Sequence, residues 1–354
     1  MPPLEGIQLI PVMDSIKQSK RTPVMMQSVR QKQHGLRPLI CFIGTLRALD
    51  MTADGLIKHL ISALDADILF CLSRTSGCDE SLIGLLPREK IVKVLFYEDA
   101  DLGYENICDM LSSKRMDVSP PYPWRKALKI DGNWLGGLSG ISGSGMHLNY
   151  NLHKLSEMLL SPLILAKNYT HFIVTRTDFQ WLAPHPPLHL LDDRHVWIPE
   201  GEDYQGYNDR HAVCSRKNIA IYLKFFETMI NGEAFDFLDP YKSLNHEYQL
   251  KLHLIYQGIR VGRFKNVAYL TGVQDAQTNC ATVKTKLVDG VVYPCKYPGE
   301  VDSATANSKA YYRHKNSRTM LIKPPTILSR IPIWKARLRG LAPWLARSAL
   351  KFRK

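Results

Sequence analysis

The chain has 354 residues, 45% of them hydrophobic and 22% charged, which is ordinary for a globular protein and enough for one large α/β domain or two smaller ones. It contains no run of 18 apolar residues and no apolar signal core near its first residue, so the sequence predicts neither a membrane span nor secretion. The net charge is +13, but no acidic residue follows Asp302, and the 13 Lys and Arg residues from Lys309 to Lys354 account for the whole excess. The basic character therefore belongs to the end of the chain rather than to the folded body.

The seven cysteines are scattered along the chain, and none of them lies in a CxxC motif. Cys41, Cys71 and Cys214 stand in apolar, strand-like runs, where a free thiol behaves as a small hydrophobic side chain. This distribution argues against a disulfide framework or a zinc site and favours a reducing compartment. We therefore expect a cytoplasmic protein.

Residues 1–37 show no sustained periodicity and are basic, so we interpret them as a disordered lead-in. Folded structure is predicted to begin with an apolar strand over 38–44, which ends at a glycine. A helix over 52–64 and strands over 67–73 and 91–97 follow. Strands that alternate with helical segments in this way are typical of a parallel, doubly wound sheet.

Residues 99–146 form a long segment rich in proline and glycine. Its glycine-rich part, 131–145, follows no obvious strand and lacks the lysine of a P-loop, so it is neither a dinucleotide-binding fingerprint nor a P-loop. A flexible lid over a ligand and a plain surface loop are both open interpretations of this part.

The most informative stretch is a predicted strand that begins at Tyr169 and ends in the charged tip Arg176-Thr177-Asp178. A helix over 148–168, kinked at Pro162, is expected to precede it. Because side chains alternate along a strand, Arg176 and Asp178 should share one face at its carboxyl end. In open α/β sheets that end of a strand lines the crevice where ligands bind. A surface pair of opposite charges is the alternative.

Strands, a polar loop and helices are predicted to follow this stretch. The strands lie at 195–199 and 211–215 with the loop at 200–210 between them, the helices span 218–229 and the segment from Ser243 to Gly258, and an edge strand lies at 260–264.

Three histidines, His185, His189 and His195, suggest a metal site by their spacing. The prolines between them prevent the helix on which a metal-binding pair would converge, so we expect loop histidines instead.

Three motifs follow one another in a fixed order: the tip Arg176-Thr177-Asp178, the segment IPEGEDYQGYNDRHAVCSR at 198–216, and NHEYQLKLHL at 245–254. This order resembles the GT-A nucleotide-sugar glycosyltransferases, and it is most similar to WavE-like sugar transferases and to glycosyltransferases of large DNA viruses of algae. The resemblance covers about residues 38–275, and 276–330 would be a C-terminal extension. It implies a GT-A-like, Rossmann-like α/β domain with a mostly parallel sheet flanked by helices.

The resemblance also implies roles for individual residues. Asp178 takes the place of the metal-binding acid of the DxD-type motif, whereas Arg176 stands where such motifs often have their first Asp, so one carboxylate must do the work of two. Gly44 and Arg47 match the donor-binding turn, and the Gly206–Asp209 loop matches the acceptor side. The implied cofactors are Mn²⁺ or Mg²⁺, which with the arginine would stabilise the departing diphosphate of a nucleoside-diphosphate sugar. The acceptor would be a glycan, glycolipid or glycoprotein.

A carboxylate is also expected to take the proton of the acceptor hydroxyl, with Asp209, Glu247 and Asp203 as candidates. Asp209 could instead pair with Arg210, and Glu247 could interact with the dipole of its own helix. We rank Asp209 above Glu247, provided the enzyme inverts configuration. The reason is that the helix dipole should lower the pKa of Glu247 and weaken it as a base.

Residues 331–354 predict a basic amphipathic tail helix with interfacial Trp334, which is typical of segments that lie on anionic membrane surfaces. A disordered basic end is the alternative, and no nucleic-acid-binding module accompanies the tail. The chain is thus expected to be a transferase, cytoplasmic or peripheral on a membrane. A nucleotidyltransferase, which would need a second metal-binding carboxylate, and a non-catalytic sugar-nucleotide-binding protein of the same fold are the rival functions.

Overall fold

The computed structural model describes residues 35–74, 79–98, 104–115, 120–121, 145–159, 164, 167–233, 246–271, 283–314 and 322–323. Several predicted features therefore lie outside the described residues: the kink at Pro162, the cap at Ser243 and the tail helix. Of the predicted lead-in, only residues 35–37 are described, and of the glycine-rich segment only Gly145.

The amino-terminal half of the described chain alternates strands and helices, as the apolar runs predict. Its elements are β1 (Pro38–Thr45), α1 (Leu49–Leu56), a π-helical turn (Ile57–Ile61) that continues into α2 (Ser62–Leu64), β2 (Asp67–Arg74), β3 (Ile91–Glu98), α3 (Tyr104–Ser113), α4 (Gly145–Leu159) and β4 (His171–Thr175).

Most of the remaining strands are short, and several of them pair antiparallel with a neighbouring strand. The remaining elements are β5 (Phe179–Trp181), β6 (His195–Pro199), β7 (Ala212–Ser215), α5 (Ile219–Leu223), α6 (Phe225–Ile230), α7 (His246–Tyr256), β8 (Arg260–Phe264), β9 (Ala268–Leu270), β10 (Lys284–Val288), β11 (Val291–Cys295), α8 (Pro298–Arg313) and β12 (Ile322–Lys323).

One large sheet contains eight of the described strands in the order β12-β8-β6-β7-β4-β1-β2-β3. The pairings β3–β2, β2–β1, β1–β4 and β6–β8 are parallel, whereas β7 and β12 run antiparallel to their neighbours. The predicted α/β class with a mostly parallel sheet is therefore confirmed, and the arrangement is compatible with a Rossmann-like fold.

Both faces of this sheet are covered, which explains why its strands are nearly continuous apolar runs. From β1, Ile40 and Phe42 pack with α1 and with Tyr311 of α8 on one face. Leu39 and Cys41 pack with α4, α5 and α7 on the other face. The described cysteines, Cys41, Cys71, Cys108, Cys214 and Cys295, are all free and buried, as expected of thiols that behave as small hydrophobic side chains.

Several predicted boundaries are wrong. The strand from Tyr169 ends at Thr175, so Arg176 to Asp178 lie in the turn after β4 rather than on one strand face. The helix predicted over 218–229 is divided at Lys224. Of the helix predicted over 148–168, the structure describes α4 up to Leu159 and the helical residue Ile164. β8 is not an edge strand, because β12 pairs with it.

Helix α8 and the hairpin β10–β11 have no counterpart among the predicted elements. α8 is tied to the domain by hydrogen bonds from Asn307 to the carbonyl of Asn266 (2.8 Å) and from Ser308 to that of Leu182 (3.0 Å). The described part of the predicted C-terminal extension thus packs against the sheet. None of the helices in the described ranges is both long and apolar enough to cross a bilayer.

Candidate functional site

Two of the candidate residues, Arg47 and Arg176, lie where the strand order of the large sheet reverses. From β1 the chain continues to β2 on one side, while β4 is the parallel neighbour on the other side. Parallel strands at such a switch point leave a crevice beyond their carboxyl ends, where α/β proteins bind ligands. Arg47 follows β1 and Arg176 follows β4, so the structure brings these two predicted donor-site residues to the same edge of the sheet.

The turn after β1 depends on Gly44, which has φ +92°, a backbone conformation that other residues rarely adopt. Thr177, a residue not predicted to have a role, joins this turn to the turn after β4. Its hydroxyl donates to the carbonyl of Arg47 (3.1 Å) and accepts from the backbone N–H of Arg47 (3.3 Å). Its carbonyl accepts from the hydroxyl of Thr52 (2.7 Å). The two arginine-bearing turns are therefore held together as one unit.

Arg176 and Asp178 form a two-pronged ion pair. Nε of Arg176 donates to Oδ1 of Asp178 (2.9 Å), and Nη2 donates to Oδ2 (2.7 Å). Nε of Arg47 lies 4.0 Å from the same Oδ2. The side chains are only 22% and 8% exposed, so the alternative of a surface ion pair is wrong. Burial raises the pKa of Asp178, but the charges of Arg176 and Arg47 outweigh burial and leave the pKa below its ordinary value.

The prediction that Asp178 binds a metal ion does not fit this arrangement. Both of its oxygens already accept hydrogen bonds from Arg176, and a divalent ion there would lie beside two guanidinium groups. Within the described ranges, no group of three His, Cys, Asp or Glu residues is arranged to hold a metal ion. Mn²⁺ or Mg²⁺ dependence stays a prediction of the resemblance alone.

Asp209 lies at the other side of the site and is fixed by His246, the first residue of α7. Nδ1 of His246 donates to Oδ2 of Asp209 (2.7 Å), and Nε2 faces Oδ1 of Asn149 on α4 (3.0 Å). His246 thus joins the carboxylate of Asp209 to the amide of Asn149. The alternative that Asp209 pairs with Arg210 is not what the hydrogen bonds show. The sequence carries His246 beside Glu247, but local spacing gave it no role.

The pKa of Asp209 reflects this pairing. Burial raises it, but the hydrogen bond and charge of His246, together with the charges of Arg210 and Arg176, lower it further than burial raises it. Asp209 is therefore held ionised and already has a close cationic partner.

The pKa of Glu247 is raised rather than lowered, so the expectation that the helix dipole makes it the weaker base is wrong. Burial and the neighbouring charge of Asp209 raise its pKa to about 7, and the lowering by its own backbone N–H in the first turn of α7 is smaller. No described side chain hydrogen-bonds to its carboxylate. A half-buried carboxyl with a pKa near neutrality is well suited to accept and release a proton at physiological pH.

Gly206 brings the loop that carries Asp209 against the start of α7. A Cβ atom at this position would lie 1.8 Å from the backbone oxygen of Glu247, and the N–H of Tyr207 donates to that same oxygen (3.0 Å). Glycine is therefore required for the close approach, which keeps Asp209 and Glu247 within reach of each other's charge.

The third candidate acid, Asp203, stabilises the loop over 200–210. Its carboxylate accepts from Arg263 on β8 (2.7 Å) and from the backbone N–H of Asn208 (3.0 Å).

Arg210 connects the loop to helix α8 through a buried ion pair. Nη1 of Arg210 lies 3.3 Å from Oε1 of Glu300, and the ring of Tyr297 stacks below the guanidinium at 4.6 Å. Glu300 also accepts from the backbone N–H of Leu270 (2.9 Å). These partners lie about 90 residues from Arg210 in the sequence, and no local signal pointed to them.

The donor-side and acceptor-side residues form one charged cluster. The charges of Arg210 and Asp209 shift the pKa of Arg176 in opposite directions, although burial is the larger influence and the net pKa is raised mainly by Asp178. Arg47 and Arg176 both lie at Asp178. Asp209 interacts electrostatically with Glu247 and with Arg176. Gly44 lies near the end of β1, before the turn that carries Arg47.

The expected loop histidines include two that are buried. His195 lies on β6, and His185, although outside regular structure, is fully buried with its Nε2 3.3 Å from Nε2 of His211. The hydroxyl of Thr175 donates to Nδ1 of His211 (3.0 Å), so a neutral pair satisfies every contact. Burial and His185 lower the pKa of His211 well below its ordinary value. Through Thr175, the pair is connected to the end of β4, directly before the turn that carries Arg176.

The chain matches no model of a known protein family, and no curated protein is significantly similar to it. Inference about its function therefore rests on the geometry above and on the ordered motifs of the sequence.

Proposed function

We propose that the chain is a glycosyltransferase that moves a sugar from a nucleoside-diphosphate sugar to a hydroxyl of a glycan, glycolipid or glycoprotein. The proposal is carried by one observation: two arginine-bearing turns at the switch point of a mostly parallel sheet share one charged cluster with a carboxyl whose pKa is about 7. The motif order that resembles GT-A enzymes supports the same assignment, because its three motifs converge in this cluster.

The donor's diphosphate would bind at Arg47 and Arg176. A guanidinium carries five N–H donors, and Asp178 takes two of those of Arg176. The remaining donors of Arg176 can reach oxygens of an anionic ligand, and the ion pair with Asp178 fixes the plane of the guanidinium group before the ligand binds. Such preorganised donors stabilise charge that develops on the leaving diphosphate.

Glu247 is the base that we assign to the acceptor hydroxyl, in place of Asp209. Asp209 is held by His246, whereas the carboxylate of Glu247 is half-buried, with no side-chain partner within the described ranges. In the transfer step the bond between the sugar's anomeric carbon and the diphosphate oxygen breaks, and its electron pair stays with the phosphate. The acceptor oxygen bonds to that carbon, and its proton passes to Glu247.

A panel of nucleoside diphosphates and nucleotide sugars, followed by thermal shift and then by calorimetry, tests the proposal. A ligand at a hundred times its Kd should stabilise the folded chain by about 2.7 kcal/mol. Donor hydrolysis and transfer to simple sugar acceptors are then measured for the ligands that bind. Glu247→Gln should retain donor binding and lose most of the transfer rate. If no nucleoside diphosphate or nucleotide sugar binds at millimolar concentration, the proposed function is wrong.

The rival functions are separated by the same assays. A non-catalytic binder would take up nucleotide sugar without hydrolysis or transfer. A nucleotidyltransferase would release pyrophosphate from a nucleoside triphosphate, but in the described ranges neither Asp209 nor Glu300 is free of a cationic partner to serve as its second metal-binding carboxylate.

A further inference from the structure

We propose that this site binds the donor's diphosphate through guanidinium groups and needs no divalent cation. The inference rests on the proposed function and makes the site more specific: the arginine at position 176 supplies the positive charge that a metal ion would otherwise supply. It departs from the metal dependence that the resemblance implies.

The first argument is that the coordinating atoms of Asp178 are occupied. Both oxygens accept hydrogen bonds from Arg176, at 2.9 and 2.7 Å. A Mg²⁺ ion requires carboxylate oxygens at about 2.1 Å in near-octahedral geometry. Chelation of the ion by both oxygens would require the buried ion pair to open, which would leave Arg176 without its carboxylate in a largely buried position.

The second argument concerns charge. Arg47 and Arg176 both lie at Asp178, so a dication at this carboxylate would be placed next to two permanent positive charges. The same charges attract a diphosphate. The cluster thus favours an anion over a cation at the carboxyl ends of β1 and β4.

The third argument is that the neighbouring acids are already engaged. Asp209 is hydrogen-bonded to His246, and Glu300 accepts from Arg210 and from the backbone N–H of Leu270. Neither of these two described acids could join a metal site on Asp178 without leaving an existing pair. Asp178 is better explained as a positioning residue that orients Arg176.

The closing experiment compares nucleotide binding by the full-length protein with and without divalent cations. The nucleoside diphosphate that gives the largest thermal shift is titrated into the protein in a calorimeter, first with a millimolar concentration of a chelator such as EDTA and then with Mn²⁺ or Mg²⁺ in its place. We expect the two Kd values to agree within about twofold. Donor hydrolysis in chelator should likewise retain at least about half of its rate.

Variants locate the effect. Arg176→Lys should weaken binding at least about tenfold under both conditions, because an ammonium group cannot reproduce the two-pronged contact. Arg194→Gln is the matched control: Arg194 forms the same fork with Asp192 two residues away (2.9 and 2.6 Å), but its side chain is 67% exposed and outside the cluster. This control should bind like the unmodified chain. Asp178→Asn should weaken binding without making it metal-dependent.

Binding or hydrolysis that is lost in chelator and restored by Mn²⁺ or Mg²⁺ would overturn the inference and leave the proposed function standing. Equal binding by Arg176→Lys and the unmodified chain would overturn it as well. Absence of nucleotide binding under every condition would instead refute the proposed function itself. The comparison with chelator uses the unmodified chain, so it does not depend on whether a variant folds.

Discussion

Replacing Glu247 with glutamine is expected to stabilise the folded chain at pH 8 while leaving its stability at pH 5 almost unchanged. In the folded chain, burial and the charge of Asp209 raise the pKa of Glu247 from 4.5 to about 7. In the unfolded chain the carboxyl has its ordinary pKa. Between these two values the folded chain keeps a proton that the unfolded chain has released, so stability falls as the pH rises.

The size of the effect follows from that interval. Roughly 2.5 pH units at about 1.36 kcal/mol each give an upper limit of about 3 kcal/mol. Glu247 is only half-buried, and solvent screening reduces the value, so we expect about 1 to 2 kcal/mol. The contribution is fully present below pH 4.5 and is lost as the pH rises through about 7. Glutamine, which does not titrate, resembles the protonated acid throughout.

Urea denaturation at pH 5, 6, 7 and 8 measures the difference. The free energy of unfolding of Glu247→Gln should exceed that of the unmodified chain by an amount that grows between pH 5 and pH 7 and then levels off. Glu89→Gln, which replaces an exposed glutamate before β3, is the control and should differ by less than about 0.5 kcal/mol at every pH. A constant difference between pH 5 and pH 8, or a glutamine variant that is less stable at pH 8, would refute the reasoning.

Three further predictions concern packing, the buried ion pair and the tail. Gly206→Ala should cost at least about 1 to 3 kcal/mol, because its Cβ would overlap backbone at the start of α7, whereas Gly84→Ala, which meets nothing within 4 Å, should not; thermal denaturation compares them. Glu300→Ala should lower the free energy of unfolding by about 3 to 5 kcal/mol, since it removes the nearer and more deeply buried of the two carboxylates that pair with Arg210. Arg210→Met in that background should recover part of the loss. Deleting 331–354 should weaken binding to anionic liposomes and leave the Tm nearly unchanged, and equal binding by both forms would exclude the membrane surface as a partner.

The core strands could be predicted because their signal is local. Strands that are buried on both faces require continuous apolar runs, and β1, β2 and β6 each carry one between turn residues. Helix α8 could not be predicted in the same way. Its buried side consists largely of small or polar residues, among them Ala304, Thr305 and Ser308, so it has little hydrophobic periodicity. Its position depends on hydrogen bonds to distant carbonyls.

The residues of the site likewise divide into those with a local sequence signal and those whose role depends on tertiary contacts. Gly44, Arg47 and Arg176 could be placed because strand ends are visible in the sequence and the switch point of a doubly wound sheet follows from strand order. The pKa argument used to rank the two acids was wrong because it rested on the helix dipole, a local effect. In the folded chain the dipole's lowering of the Glu247 pKa is outweighed by burial and by Asp209, which only tertiary contact through Gly206 provides.

The pairing of charges within the cluster indicates which group can change its protonation during a reaction. Asp178 is held by Arg176, Asp209 by His246, and Glu300 by Arg210 and a backbone N–H. To protonate Asp178 or Glu300 would leave a buried arginine without its carboxylate partner, which costs several kcal/mol. Glu247 carries no such constraint, and the fixed negative charge of Asp209 raises its affinity for a proton. In the proposed reaction, the paired acids would therefore set the geometry and the field of the site, and Glu247 would accept the proton.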